Sequence, residues 1–202
     1  MAITFAFIAS AWSDQTPLFN VHADSLEAIA GWQADGAQVH IDATDYTSTK
    51  LSESEPPPHR VSSFIQVCAE LPTRTVCGGS SLLDDQLVID GNLGSAVLKA
   101  VVPAQECLLV APYTCSDSNL YVDLVWTATG PLDHNIRLHN KYFEPEPCHI
   151  TELGRLTARQ AQVTGSITDG TVNLIEGLDT AYAGVEMFLG ETVGRGDPEV
   201  CL

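Results

Sequence analysis

Two cysteine pairs in this chain are spaced to staple turns. Cys68 and Cys77 flank Leu71-Pro72-Thr73-Arg74, and Cys107 and Cys115 flank Val110-Ala111-Pro112-Tyr113. A cross-link over so short a stretch demands two antiparallel segments side by side. Pro72 in the second position of a four-residue turn suits a type I geometry. Pairing Leu71 with Arg74 then sets Cys68 directly opposite Cys77. Facing Cα atoms in an antiparallel pair lie about 4.5 to 5.5 Å apart, inside the window of about 4.4 to 6.8 Å that a disulfide accepts. The loop between Cys107 and Cys115 has odd length, so its register is less constrained. Cys148 and Cys201 remain as a long-range pair, and an even count of six favours full pairing. Such a framework predicts an oxidising compartment, and hence a secreted or cell-surface protein.

The patterning between the cysteines is that of strands. Residues 38–46 alternate, with Val39, Ile41 and Ala43 on one face. Residues 119–129 form the clearest central strand. Leu120, Val122, Leu124, Trp126 and Ala128 share one face, and Gly130-Pro131 ends it. Residues 61–71, 135–143 and 156–167 alternate as well. Asp90-Gly91 and Asp169-Gly170 predict type I′ hairpins, because this pair tolerates the positive φ angles such turns need. The polar stretch 48–60 contains Pro56-Pro57-Pro58 and predicts a long extended loop. Helical signal is confined to residues 24–30, with Asp24 as a cap. The expected fold is one all-β domain over residues 1–202. It is an antiparallel two-layer β-sandwich of jelly-roll or Ig-like character with at most one short helix.

Composition removes several functions. The formal charge is −17, from 26 acidic and 9 basic residues. Phosphate recognition needs a basic stripe, so nucleic acid is not an expected partner. An anionic membrane is disfavoured for the same reason. The apolar residues 1–11 lack the basic segment of a secretory signal and are too short to span a bilayer. They read as a strand with Ile3, Phe5 and Phe7 on one face. No membrane insertion is expected, but strand exchange with a neighbouring copy is open to this segment.

Metal chemistry has one candidate region. His134, His139, Glu144, Glu146 and His149 bring imidazole and carboxylate together, the donor set of zinc. His134 and His139 have opposite strand parity and match no zinc spacing. Cys148 beside His149 resembles a reactive thiol site, but a disulfide to Cys201 would consume it. Asp84-Asp85, Asp90 with Asn92, Asp42 with Asp45, and Asp117 with Asn119 supply oxygen clusters for calcium, although none follows the EF-hand pattern. Turns use Asp and Asn for their own backbone bonding. The Gly78-Gly79-Ser80-Ser81 stretch lacks a nucleophile-elbow pattern, and no phosphate loop or dinucleotide fingerprint occurs.

Trp12, Trp32, Tyr46, Tyr113, Tyr121, Trp126 and Tyr142 could line a carbohydrate platform, or simply pack as core and rim. Loops 48–60 and 140–151 are where a protein or carbohydrate partner would be met. The leading expectation is a non-enzymatic extracytoplasmic binding or structural domain without a cofactor. The alternatives are a zinc- or calcium-binding protein or metal-dependent enzyme centred on His134–His149, and a self-assembling surface or filament subunit.

Overall fold

The computed structural model describes residues 18–52, 59–143 and 148–195. Ten strands run in order: β1 (Leu18–Ala34), β2 (Ala37–Ser52), β3 (His59–Glu70), β4 (Arg74–Leu82), β5 (Leu87–Ile89), β6 (Ser95–Leu108), β7 (Cys115–Ala128), β8 (Asp133–Phe143), β9 (Cys148–Thr168) and β10 (Asp179–Arg195). Among the described residues there is no helix. The all-β, antiparallel class expected from the sequence is what the chain forms.

Sequence neighbours are sheet neighbours. The hydrogen-bonded path runs β10–β1–β2–β3–β4–β6–β7–β9, and β9 pairs in turn with β10. The sheet therefore closes, and its opposite walls are the layers that pack together. β7 and β8 take successive stretches of β9: Tyr121–Ala128 faces Ala161–Thr168, and Asp133–Phe143 faces Cys148–Ala158. The interruption at residues 129–132 is held by Thr129 N and Gly130 N donating to Gln160 O (2.9 and 3.4 Å) and by Arg159 Nε donating to Gly130 O (3.1 Å).

Alternation decides what lies inside. Val39, Ile41 and Ala43 are buried, as are Leu120, Val122, Leu124 and Trp126, so both sequence-assigned faces point to the core. Trp126 reaches across the interior and donates its indole N–H to Ile29 O at 2.9 Å. That bond satisfies a polar atom that would otherwise be stranded among aliphatic groups. Leu174 of the loop after β9 and Leu87 and Leu93 around β5 complete the core.

Several local expectations are corrected. Residues 24–30 belong to β1, not a helix, because the closed sheet pairs them on both sides, with Ala28 opposite both Ala43 and Val185. Neither predicted Asp-Gly pair makes a type I′ turn. Asp90-Gly91 opens a longer loop closed by Asp90 N to Ser95 O (2.9 Å), with the positive φ at Leu93. Asp169-Gly170 turns the chain with a positive φ at Gly170, but residues 172–175 return as one isolated bridge, Thr168 to Asn173, instead of a strand. The two-residue turn with both φ angles positive is Asp35-Gly36, between the paired Ala34 and Ala37. The extended loop predicted from residue 48 begins later, since β2 runs to Ser52 and β3 starts at His59. Residues 53–58 and the N-terminal segment 1–11 lie outside the described residues.

Cys68–Cys77 and Cys107–Cys115 are both disulfide-bonded, each in direct register. Leu71 N to Arg74 O (2.8 Å) closes the first turn as the spacing requires. Cys148 begins β9, but Cys201 lies outside the described residues.

Candidate functional site

Beyond the packed core, β1, β9 and β10 run on, and the face that was apolar becomes polar. Two ladder rungs define the change. His22 of β1 faces Glu191 of β10, which faces Leu153 of β9. Asp24 faces Leu189, which faces Arg155. These positions share the parity of Ala28 and Val185, but here, past the core, Asp24, Arg155 and Leu189 are exposed. Together with Gly190 they line a cavity of about 330 Å³. That volume falls in the range of small-molecule sites, about 300 to 1,000 Å³.

The groups in this cavity carry both signs. Register places the His22 and Glu191 backbones directly across from one another, with Cα atoms about 5 Å apart. An imidazole and a carboxylate side by side are the residue types used for general acid–base chemistry. Among the described residues Arg155 makes no ion pair. Arg74 contrasts with it, holding Glu106 Oε1 at 2.7 Å and Asp169 Oδ2 at 2.6 Å. A guanidinium with no ion pair among the described residues, on so acidic a chain, is an anchor for a carboxylate or phosphate.

The sequence-selected residues fall elsewhere. His134 is on β8, exposed, with Nδ1 3.1 Å from Thr157 Oγ1. His139 is on the same strand with opposite parity, and His149 is on β9 opposite Tyr142. Glu144 and Glu146 lie outside the described residues. Among the described residues no group of three His, Cys, Asp or Glu side chains could hold a metal. Of the oxygen clusters considered for calcium, Asp90 uses its Oδ1 to accept from Asn92 N (3.2 Å). Asp42 and Asp45 alternate faces, and accept from Thr44 Oγ1 (3.0 Å) and Ser63 Oγ (2.9 Å). Among the described residues the aromatic set is divided between core and surface. Trp32 and Trp126 are core, while Tyr113 and Tyr121 are exposed at separate places.

His22, Asp24, Arg155 and Glu191 escaped the sequence reading because they are scattered from the first strand to the last. A signal did exist. The same alternating positions that are apolar later in β1 turn polar at His22 and Asp24, although the sequence suggested that a short helix begins at Asp24.

No protein-family model and no curated protein sequence matches the chain. Among solved structures it is similar to an acetoacetate decarboxylase-like enzyme from Sphingomonas wittichii RW1, at 10% identity over 88% of this chain and 91% of that one, with a TM-score of 0.28. It is also similar to the enduracididine biosynthesis enzyme MppR with HEPES buffer bound, at 8% identity over 90% and 86%, TM-score 0.28. A second MppR structure, complexed with the condensation product of pyruvate and imidazole 4-carboxaldehyde, matches at 10% identity over 89% of each chain, TM-score 0.27. These solved neighbours are enzymes, whereas the sequence led to the expectation of a non-enzymatic binding or structural domain. At such scores the likeness transfers neither reaction nor substrate to this chain.

Proposed function

We propose that the protein is an enzyme acting on a small carboxylate-bearing molecule in the cavity lined by His22, Asp24, Arg155 and Glu191. The observation that carries this reading is the mixed-sign set on three adjacent strands, beyond an otherwise apolar interior. Arg155 would bind the substrate's carboxylate through its planar fork. His22, oriented by Glu191, would take or return a proton at the carbon or oxygen held beside it. Asp24 sits one rung away, where it would stabilise positive charge on the imidazole. Proton transfer by such a positioned group is worth about 10² to 10⁴ in rate.

The test uses small 2-oxo and 3-oxo acids in D2O, with loss of the C–H signal adjacent to the carbonyl followed by proton NMR. The protein is expected to accelerate exchange, His22→Ala to abolish the acceleration, and Arg155→Gln to raise KM more than it lowers kcat. Exchange no faster than with His22→Ala would sink the reading. The two disulfides support an oxidising compartment, and we place the protein outside the cytoplasm, secreted or at the cell surface. Thiol labelling of protein taken directly from its source cells should find Cys68, Cys77, Cys107 and Cys115 blocked.

A further inference from the structure

A second cavity, of about 360 Å³, opens on the outer wall, over β6, β7 and β9. Its side chains have the outward parity: Lys99 and Val101 on β6, Tyr121 and Asp123 on β7, Ser166 and Thr168 on β9, with Gln86 at one margin. Tyr121 stands in the middle of the wall, where most large side chains would be core or edge, and is 48% exposed. Val101, directly across from it, is 54% exposed. On its far side lies Gly170, where even an added Cβ would come no nearer than 3.7 Å to Tyr121 Cε2. The ring is thus left open to solvent on this face.

The polar groups around this ring balance. Lys99 Nζ pairs with Asp123 Oδ2 at 3.2 Å. Gln86 accepts from Leu83 N through its amide oxygen (2.8 Å), which leaves its amide N–H groups to donate. Ser166 and Thr168 add hydroxyls. On a chain of charge −17, a cavity whose only charges cancel selects a neutral ligand over an ion. An apolar aromatic surface bordered by an ammonium, a carboxylate, an amide and hydroxyls is complementary to a pyranose. Such a ring has a C–H face to lay on an aromatic and a rim of hydroxyls that both donate and accept.

From this we infer that the outer cavity is a carbohydrate-binding site, with Tyr121 as the stacking residue and Lys99, Asp123 and Gln86 as hydroxyl partners. It lies on the opposite face of the sheet from the acid–base cavity, so it stands or falls independently of the enzymatic reading. The experiment is calorimetric titration of the whole protein with neutral hexoses, xylo-oligosaccharides and N-acetylglucosamine oligomers. At least one sugar is expected to bind, with Tyr121→Ala weakening it by about tenfold or more, Tyr121→Phe staying within about threefold, and Asp123→Ala weakening it while the melting temperature is unchanged. Absence of binding by every sugar in the set, or equal binding by Tyr121→Ala, overturns the site. Binding of a protein partner that Tyr121→Ala leaves intact would do the same.

Discussion

Asp169 and Glu186 are both withdrawn from water, yet they titrate in opposite directions. Burial raises the affinity of Asp169 for a proton, but hydrogen bonds from Val172 N, from Thr171 Oγ1 and N, and from Arg74 outweigh it and hold the carboxyl well below its usual range. A depressed carboxyl contributes stability that is present above its unfolded value of 3.8 and lost as pH falls through the folded one. Its side chain is only 5% exposed, so removing it leaves Arg74 half-paired. Asp169→Ala is expected to cost about 3 kcal/mol at pH 7, and its unfolding free energy should fall less steeply than wild type between about pH 4 and pH 2. Urea melts across pH would show this.

On Glu186, burial again raises the affinity for a proton. Here Glu27 and Asp42 add repulsion and nothing compensates, so the carboxyl is raised. The sign reverses: the folded state binds the proton more tightly, and stability increases as pH falls from 7 towards 4.5. Glu186→Gln should therefore stabilise the protein at pH 7 by about 0.5 kcal/mol, with the gain fading near pH 4. A variant less stable than wild type at pH 7 would contradict this account.

At the scale of elements, the hairpins show what local chemistry can and cannot announce. The register of β3 and β4 was legible because Pro72 and the two cysteines fix it within ten residues. Replacing Cys68 and Cys77 together by alanine should cost about 2 to 3 kcal/mol, with the sheet retained in circular dichroism. β1 was illegible for the opposite reason. Asp24, Leu26, Ala28 and Ala30 satisfy a helix as well as a strand when read alone, and long-range partners on β2 and β10 decide the matter. Misreading β1 also hid Asp35-Gly36, a turn whose two positive φ angles the dipeptide pattern describes. The same misreading made Asp24 a helix cap and so hid its place on the strand. The interior positions of β7 were plain from alternation, but the bond from Trp126 to Ile29, 97 residues away, was not. Trp126→Phe is expected to lose about 2 kcal/mol, from packing and from an orphaned carbonyl, as measured by thermal melting.

For the whole molecule, closure rests on β1 and β10, which pair from Leu18 with Arg195 to Gln33 with Asp179. The first and last described strands are therefore bonded neighbours. Joining the chain ends by a flexible linker and reopening the chain between Asp35 and Gly36 keeps every other strand pairing. Such a circular permutant should fold with the native spectrum and a melting temperature a few degrees lower. Reopening within β7, where the interior is densest, should give no folded product.

The same adjacency sets how the molecule answers to force. Leu18 and Arg195 sit side by side at one end of an antiparallel ladder, so tension drawn through them acts across the hydrogen bonds, not along the strands. The rungs would then break in succession, as in a zipper, each bearing the full load alone. A closed sheet with a shared core would thus yield to a gentle pull applied through Leu18 and Arg195. If it does stand at a cell surface, it is built to be held by its flank and not suspended as a link in a chain under tension.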